Sequence, residues 1–331
     1  MIKHTSVLVT GGAGFIGSHL VDRLLKDGCH VRVIDNYSTG RPFNLVHHRN
    51  HPHLEVLEAD IADREKTAAF YSGVERVFHL AALADIVPSI ERPLDYHHAN
   101  VDGTVTVLEN SRAAGVQRFV YSASSSCYGI PDIYPTPETA AIRPQYPYAT
   151  TKYLGEEYVL NWGHIYKMPV VSLRFFNVYG PRSRTSGTYG AVFGVFLAQK
   201  LKGRPFTVVG DGTQSRDFTY VTDVVNAIVM AAESDISGEV MNVGSGGHYT
   251  INSLVKMLGG EVTYIPKRPG EPEITFADTT KIRSTLGWAP LIDFETGVKK
   301  LLDEIDYWRE APVWTPETIE KATETWFRYL T

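Results

Sequence analysis

The sequence predicts an α/β protein in which a doubly wound parallel sheet carries a second, smaller lobe. Apolar strand-like runs alternate with amphipathic helical patterns up to about residue 175, and a glycine-rich turn follows the first run. Beyond Phe176, glycines, prolines and shorter elements replace this alternation. The predicted strands are 7–10, 31–34, 54–57, 76–79, 118–122 and 170–174, and the predicted helices are 15–27, 63–71, 98–113 and 148–166.

The 331 residues are enough for two domains or for one large α/β domain with an appendage. We predict a sheet domain over residues 1–176, to which residues 215–245 return because the helix and strand texture resumes there. Residues 177–214 and 246–331 are predicted to form the smaller lobe, over the carboxyl ends of the strands where open α/β sheets bind ligands. Near the end of the chain, Thr315-Pro316 is a typical start for a final amphipathic helix.

Composition excludes several classes of function. The formal net charge is -5 and no long basic run occurs, so the chain lacks the electrostatic signature of a protein that binds nucleic acid or a membrane surface. No N-terminal signal and no apolar run of membrane-spanning length is visible. We therefore expect a soluble, cytoplasmic protein whose two cysteines, Cys29 and Cys127, are reduced packing residues.

A glycine-rich run, TGGAGFIG, joins the first predicted strand to the first predicted helix. Gly11, Gly12 and Gly14 allow a tight turn and a close backbone approach to a pyrophosphate, while Gly17 allows the helix to pack on the strand. The helix N-terminus offers N–H donors to the phosphates. Asp35 ends the next strand, where it can accept hydrogen bonds from both ribose hydroxyls and would repel a 2′-phosphate. The order of these features predicts a Rossmann-type dinucleotide site that prefers NAD to NADP.

A tyrosine and a lysine, Tyr148 and Lys152, are spaced i, i+4 on a predicted helix, so their side chains share one face. An ammonium group beside a phenol lowers the phenol's pKa, which makes it usable as a base near neutral pH. This helix follows the serine-rich segment 122–126, at the end of a predicted strand where an active site is expected. We therefore predict that Tyr148 and Lys152 are catalytic.

With these motifs the chain resembles the extended short-chain dehydrogenase/reductases, in the NAD-dependent nucleotide-sugar epimerase/dehydratase branch. Within that branch it is most similar to the UDP-hexose and UDP-N-acetylhexosamine 4-epimerases, and the resemblance covers nearly the whole chain. It rests on the glycine run, Asp60-Ile61, HLAA at 79–82, Asn100, the serine segment, Tyr148 with Lys152, RFFNVYGP at 174–181, GDG at 210–212, RDF at 216–218 and RPGE at 268–271.

The resemblance implies a role for each matching residue. Tyr148 would take a proton from a sugar hydroxyl, Lys152 would bind the nicotinamide ribose, and Ser124 would hydrogen-bond the same sugar oxygen. The other cofactor-binding residues that it implies are Gly11, Gly14, Phe15, Ile16, Gly17, Asp35, Asn36, Asp60, Ile61, Leu80, Ala81, Ala82, Asn100, Ser122 and Phe175. The implied substrate-binding residues are Ser124, Ser125, Ser126, Tyr148, Asn177, Arg216, Arg268, Glu271 and Thr275, of which Asn177 and the two arginines would hold the diphosphate.

The residues that follow Ser124 bear on the reaction. In the dehydratases that the chain resembles, one or two acidic residues follow the catalytic Ser/Thr, whereas Ser125 and Ser126 stand here. Inversion at C4 through a transient 4-keto sugar needs only Tyr148, Lys152, Ser124 and NAD, and this is the predicted activity. A 4,6-dehydratase or 4-ketoreductase is the alternative within the family. A non-catalytic NAD-binding regulatory protein is the alternative from another class, against which the retained tyrosine, lysine and serine count.

Three further positions bear on the choice of substrate and on the mechanism. Galactose-type 4-epimerases usually carry a lysine where this chain has Ala84, and those with a narrow pocket carry a tyrosine where it has Thr275. A small residue at 275 leaves room for an N-acetyl group at C2, so we expect UDP-GlcNAc and UDP-GalNAc to be accepted. Cys127 stands one place later than the acid/base cysteine of the C5-epimerases that it would resemble, which favours a packing thiol.

The remaining sequence features are predicted to lie at the surface, at a ligand or in a contact between subunits. Four histidines crowd one loop, but their irregular spacing and the lack of an acidic or thiolate partner nearby in sequence predict a solvated loop and no metal site. Arg182 and Arg184 are candidates for a uronate carboxylate, for the diphosphate or for a dimer contact. The resemblance also implies a homodimer in which helices 98–113 and 148–166 form a four-helix interface. The four histidines are His47, His48, His51 and His53.

Overall fold

A computed structural model describes residues 2, 4–183 and 192–330 of the chain. In these residues the strands are β1 (Ser6–Thr10), β2 (His30–Asp35), β3 (Leu54–Glu58), β4 (Arg76–His79), β5 (Arg118–Ser124), β6 (Val170–Phe175), β7 (Asn177–Tyr179), β8 (Phe206–Val209), β9 (Ser215–Arg216), β10 (Phe218–Tyr220), β11 (Glu239–Val243), β12 (Tyr249–Thr250) and β13 (Val262–Ile265). No helix among them is long and apolar enough to cross a membrane.

The helices of the described residues are α1 (Phe15–Lys26), α2 (Arg64–Ala68), α3 (Ile86–Glu91), α4 (Pro93–His97), α5 (Gly103–Ala113), α6 (Pro147–Tyr166), α7 (Val192–Leu201), α8 (Val221–Glu233), α9 (Ile251–Leu258), α10 (Thr280–Leu286), α11 (Phe294–Asp303) and α12 (Pro316–Tyr329). Short 3₁₀ segments occur at Pro42–His48, Ala69–Tyr71, Ser125–Tyr128 and Ile305–Trp308.

Seven parallel strands form the central sheet, in the order β11-β6-β5-β4-β1-β2-β3. Val7 and Val9 of β1 belong to the apolar core shared with α1 and α8, whereas Leu8 belongs to the core on the opposite face, with Val107 of α5 and Val159 of α6. This alternation follows the two-residue period of a strand. The predicted doubly wound α/β fold is therefore confirmed, because helices cover both faces of the sheet.

The segment 215–245, which is predicted to return to the sheet domain, lies partly in the central sheet and partly outside it. Within residues 215–245, β11 pairs with β6 at the sheet edge and α8 packs on its face, as predicted. The first part of the segment differs from the prediction, because β9 pairs with β12 and β10 pairs with β7 in small two-stranded sheets outside the central one. Aromatic rings in edge-to-face and stacked contacts pack together in this lobe, around Tyr179, Phe218 and Phe294.

Two of the predicted helices are interrupted, and the one predicted at 63–71 is α2 followed by the 3₁₀ segment Ala69–Tyr71. The helix predicted at 98–113 begins earlier, at Pro93 of α4, and passes through a π-helical turn at His98–Asp102 before α5. Proline fits the first position of a helix because its fixed φ is helical and its missing N–H would have no partner there. At the end of the chain, α12 begins as predicted, with a capping box between Thr315 and Thr318 ahead of an amphipathic helix.

Candidate active site

The glycine run forms a turn with no room for side chains at the carboxyl end of β1. Gly11 has a φ of 70°, and a Cβ atom there would lie 2.7 Å from the backbone nitrogen of Ala81. A Cβ atom on Gly17 would lie 2.1 Å from the carbonyl oxygen of Gly11, so α1 packs against the turn at backbone distance. This is the close packing that a pyrophosphate site at a helix N-terminus requires.

A cavity of about 400 Å³ extends from this turn along the ends of β1, β2 and β4. Asp35 faces it with its carboxylate already held by backbone, since Oδ2 accepts from the Ala13 N–H (2.9 Å) and Oδ1 from the Tyr37 N–H (2.8 Å). Burial raises the pKa of Asp35, and these two hydrogen bonds oppose that rise. The predicted cofactor residues that line the cavity are Gly11, Gly14, Phe15, Ile16, Gly17, Asp35, Asn36, Asp60, Ile61, Leu80, Ala81, Ala82 and Ser122.

Asn100, which is also predicted to bind the cofactor, is held by protein groups. Its amide exchanges two hydrogen bonds with the backbone of Leu83, at 2.8 and 3.0 Å, and donates a third to Thr151 Oγ1 at 3.0 Å. The side chain is fully buried and does not line the 400 Å³ cavity. Asn100 therefore ties the loop after β4 to the helix that carries Tyr148 and Lys152, and it is a positioning residue.

A second cavity, of about 580 Å³, adjoins the first and shares with it a wall that includes Phe15, Leu80 and Ser122. The structure brings every predicted catalytic and substrate residue to this cavity, together with Phe175. They are Ser124, Ser125, Ser126, Tyr148, Lys152, Asn177, Arg216, Arg268, Glu271 and Thr275. A dinucleotide in the first cavity and a sugar nucleotide in the second would therefore meet beside Tyr148.

Three hydroxyl groups form a connected set at the centre of the second cavity. Ser124 Oγ accepts from the N–H and the hydroxyl of Ser126, at 3.2 and 2.8 Å, and both serine side chains lie near enough to the Tyr148 phenol to lower its pKa. Burial raises the pKa of Tyr148, and the two serine hydroxyls lower it by less. The prediction of a lowered pKa is thus wrong for the protein alone, because desolvation outweighs the hydroxyl groups. For Tyr148 to act as a base, positive charge beside the phenol is needed in addition to these hydroxyl groups.

Lys152 lies one turn along α6 from Tyr148, with only 4% of its surface exposed. Its Nζ is 4.3 Å from the centre of the Tyr121 ring, a cation–π arrangement. Burial lowers its pKa to about 7, although the carboxylate of Glu156, one turn further along α6, acts in the opposite direction. The proton on Lys152 is therefore held weakly, and its charge depends on pH near neutrality.

This pKa predicts how stability depends on pH when NAD has been removed. The unfolded chain keeps the Lys152 proton up to about pH 10.5, whereas the folded protein releases it near pH 7. The unfolded state binds more protons between these values, so Lys152 makes the free energy of unfolding rise with pH by about 1.4 kcal/mol per unit. Urea unfolding at pH 7.5 and 9 should show this rise in the wild type relative to Lys152→Met. Equal slopes in the two proteins would contradict it.

A buried ion pair joins α6, the helix of Tyr148 and Lys152, to the neighbouring strand β6. The Arg174 guanidinium contacts the Glu156 carboxylate at 2.5 Å, and Ser172 Oγ donates to the same carboxylate at 2.8 Å. Arg174 also donates to the Tyr128 hydroxyl at 2.8 Å. Glu156 is 1% exposed and Arg174 is 5% exposed, so both charges depend on these partners. The pair joins α6 to β6 behind Lys152.

The opposite side of the second cavity carries two guanidinium groups around one carboxylate. Glu271 Oε1 accepts from Arg216 Nη2 at 2.7 Å, and Glu271 Oε2 lies 3.8 Å from Arg268 Nη1. Nearby, the Thr275 hydroxyl donates to Asn177 Oδ1 at 2.6 Å and accepts from the Asp217 N–H at 3.1 Å. Arginine pairs of this kind suit a diphosphate, whose oxygens accept forked hydrogen bonds.

Comparison with known proteins gives the family. Residues 7–244 match the model of the NAD dependent epimerase/dehydratase family. The chain belongs to this family. NAD is its cofactor, and the glycine turn, Asp35 and the first cavity are suited to a dinucleotide. The predicted resemblance is thereby confirmed.

Several relatives act on UDP-sugars. A UDP-glucose 4-epimerase of Mycolicibacterium smegmatis is 38% identical over 89% of this chain and 97% of its own length. The structure of a UDP-N-acetylglucosamine 4-epimerase from Methanobrevibacter ruminantium M1 is 35% identical with a TM-score of 0.85, covering 91% of this chain and 99% of that one. That of a UDP-glucuronic acid 4-epimerase from Bacillus cereus, in complex with UDP-glucuronic acid and NAD, is 31% identical with a TM-score of 0.84, covering 92% and 99%. The chain is thus an enzyme of the UDP-sugar epimerase family.

Two groups in the second cavity were missed by the sequence analysis. Tyr146 lies parallel to Tyr148, with ring centres 6.3 Å apart and an angle of 9° between the rings. Asp85 lines both cavities, and its charge raises the pKa of Tyr148. Tyr146 could have been found from its position in the sequence, two residues before the predicted catalytic Tyr148. Asp85 follows the HLAA run by three residues but lacks a motif of its own.

The histidine loop has an acidic partner that the sequence did not reveal. Asp22 of α1 accepts hydrogen bonds from His47 and His48 on the same oxygen, at 2.7 and 2.8 Å. Arg182 contacts the other carboxylate oxygen at 2.7 Å, so the carboxylate is shared among three basic side chains. The predicted lack of an acidic neighbour is therefore wrong, because α1 and the loop meet only in the fold. Arg184 lies outside the described residues.

The two cysteines are both buried, free thiols. Burial raises the pKa of Cys127 to about 12, and the positive charge of Arg174 opposes this rise only in part. A thiol that keeps its proton at neutral pH packs as a small apolar group and is a poor acid/base catalyst. This supports the prediction that Cys127 has a packing role.

Proposed function

We propose that this enzyme inverts C4 of a UDP-hexose or UDP-N-acetylhexosamine through a transient 4-keto sugar. The observation that carries the proposal is the hydroxyl set of Tyr148, Ser124 and Ser126 at the meeting point of the two cavities. This set can remove and return one proton at a sugar oxygen held beside the cofactor. The epimerases among the relatives act on glucose, N-acetylglucosamine and glucuronic acid linked to UDP, which supports UDP as the carrier.

The residues divide the work as follows. NAD, held by the glycine turn and Asp35, would supply hydride acceptance and return at C4 and would carry a positive charge in its oxidised form. Tyr148 Oη takes the proton of the C4 hydroxyl, and Ser124 hydrogen-bonds the same oxygen while its charge changes. Lys152, one turn along α6 from Tyr148, adds positive charge when protonated. The cavity of about 580 Å³ leaves room for the keto sugar to turn, and Tyr148 Oη would return the proton to the same oxygen when the alcohol forms again.

Elimination of water is less well supported. A 4,6-dehydratase needs an acid for the leaving hydroxyl and a base for the C5 proton. The two side chains after Ser124 carry hydroxyls, and the Ser126 hydroxyl donates a hydrogen bond to Ser124 Oγ. A net 4-ketoreductase would need NAD to exchange in each turnover, whereas the proposed epimerisation regenerates it. The complete Tyr148, Lys152 and Ser124 set argues against a purely regulatory NAD-binding protein.

Proton NMR with UDP-GlcNAc and no added cofactor tests the proposal. New anomeric signals of UDP-GalNAc, growing toward an equilibrium mixture, are the expected result. UDP-glucose, UDP-galactose and UDP-glucuronic acid are tested in parallel, so that the preferred sugar emerges from the same experiment. A 6-deoxy-4-keto product would contradict epimerisation and establish dehydration. No turnover of any of these sugars, with NAD bound, would favour the regulatory alternative.

Thr275 is proposed to leave space for the N-acetyl group. Thr275→Tyr should lower kcat/KM for UDP-GlcNAc by about 100-fold, because the ring fills the cavity wall, while UDP-glucose loses much less. Steady-state kinetics with both substrates measure the change. Thr275→Ser is the matched control, since it keeps the hydroxyl that bonds Asn177. An undiminished UDP-GlcNAc rate in the tyrosine variant would contradict the assignment.

We also propose that the enzyme works in the cytoplasm as a homodimer joined through α5 and α6. Leu154, Tyr158 and Ile165 are exposed apolar residues, and their spacing places them on one side of α6. Light scattering after gel filtration should give twice the chain mass for the wild type. Leu154→Arg with Tyr158→Glu should give the monomer mass. A wild-type monomer, or an unaltered mass in the variant, would contradict the interface.

A further inference from the structure

The C-terminal helix α12 borders the second cavity. Thr323 and Trp326, which are 2% and 5% exposed, line this cavity together with Tyr148 and the two arginines. On another side of the helix, Thr325 Oγ1 donates to Glu91 Oε1 of α3 at 3.0 Å. α12 therefore connects the sheet domain to the loop that carries Arg268.

Trp326 contacts that loop in two ways. Its indole N–H donates to the carbonyl oxygen of Pro269 at 2.7 Å, and the Arg268 guanidinium carbon lies 5.4 Å from the centre of the indole ring. The next residue of the loop, Gly270, has a φ of 68° and faces Leu330 at the end of α12. Arg268 and Pro269 thus both contact Trp326, and Gly270 lies beside the end of the same helix.

The way in which Trp326 holds Arg268 matters for binding an anion. A carboxylate partner takes up N–H donors of a guanidinium and repels a diphosphate, as Glu271 does at 2.7 Å from Arg216. An aromatic ring instead contacts the face of the guanidinium, and the N–H groups lie in the guanidinium plane. Glu271 also lies near Arg268, but its Oε2 is 3.8 Å from Nη1, beyond hydrogen-bond distance, whereas the indole ring lies beside the guanidinium and adds no further negative charge there.

We propose that α12 forms a wall of the nucleotide-sugar site and that Trp326 is a positioning residue for Arg268, directing its N–H groups at the diphosphate. This inference rests on the function proposed above. It assigns a substrate-binding role to the last helix of the chain, which none of the family motifs reaches. Loss of the indole should weaken UDP binding and raise KM, while kcat stays within about twofold, because the indole contacts the loop of Arg268 and Pro269 and makes no hydrogen bond to Tyr148, Ser124 or Ser126.

Calorimetric titration with UDP tests this step directly, on the NAD-loaded full-length enzyme. Trp326→Ala should raise the Kd for UDP about tenfold, and Trp326→Phe about threefold, because phenylalanine keeps the ring and loses the hydrogen bond to Pro269. Trp162→Phe is the matched control outside the cavity and should leave the Kd unchanged. Thermal melting of each variant verifies folding, and Trp326→Phe retains enough packing to serve where the alanine variant does not fold.

A double-mutant comparison separates positioning from general packing. If Trp326 acts through Arg268, adding Trp326→Phe to Arg268→Ala should change the Kd by less than twofold beyond Arg268→Ala alone. Fully additive effects, or a Kd in Trp326→Ala within twofold of the wild type, would overturn the inference. Failure of the wild type itself to bind UDP would instead contradict the proposed function, so the two failures are distinguishable.

Discussion

Tyr148→Phe should lower kcat by about 1000-fold while the protein keeps its fold and its NAD. The change removes one oxygen atom, the only proposed acceptor for the C4 hydroxyl proton, and leaves the ring in place beside Tyr146. Ser124 and Ser126 keep their mutual hydrogen bond, so the cavity should still bind UDP with nearly unchanged affinity. Proton NMR of the sugar and calorimetry with UDP measure the two quantities on the same sample.

Tyr158→Phe is the matched control for this variant, because it removes a hydroxyl from an exposed tyrosine of the same helix. It should keep full activity. A Tyr148→Phe enzyme with more than about one tenth of the wild-type kcat would show that another group takes the proton. Asp85, which faces the same cavity, would then be the next candidate.

Glu156→Gln should lower the free energy of unfolding by about 3–5 kcal/mol. The substitution keeps the shape of the side chain but leaves the Arg174 charge, 5% exposed, without its counter-charge. The loss should also reduce activity, since Lys152 lies one turn away on the same helix and Glu156 favours its protonated form. Urea unfolding followed by circular dichroism, together with kcat at pH 7, measures both effects.

The double variant Glu156→Met with Arg174→Met provides the control for buried charge. Replacing both charges by apolar groups of similar size should recover most of the stability lost in the single variant, because no unpaired charge remains. The double variant should stay less active than the wild type, since Lys152 no longer faces a carboxylate. A single variant as stable as the wild type would show that Arg174 finds other partners in the core.

The sheet could be predicted because strands of a parallel sheet are buried on both faces and therefore consist of nearly continuous apolar residues. All six predicted strands occur, with ends shifted by at most two residues, since glycines and prolines mark their limits. The parts that differed depend on residues distant in sequence. The π-helical turn before α5 and the pairing of β9 with β12 carry no periodic signal of their own.

The site residues that belong to short sequence motifs with fixed residue types and spacing could be predicted. Tyr148, Ser124, Arg216 and Arg268 were found in this way, and the fold brings them to one cavity. Electrostatics were not predictable, because the direction of the Tyr148 pKa depends on how completely the phenol is buried. Asp22 meets His47 only when α1 packs against the loop, and no spacing in the sequence shows it.

The position of β11 in the sheet has a consequence for biosynthesis. β6 forms the outer strand of the sheet until β11 covers it, and the ribosome makes residues 176–238 between the two. At about 5–20 residues per second, this leaves the apolar edge of β6 unpaired for several seconds in each nascent chain. Strand edges of this kind recruit other chains, so aggregation during expression should fall when translation of the 176–238 segment is fast.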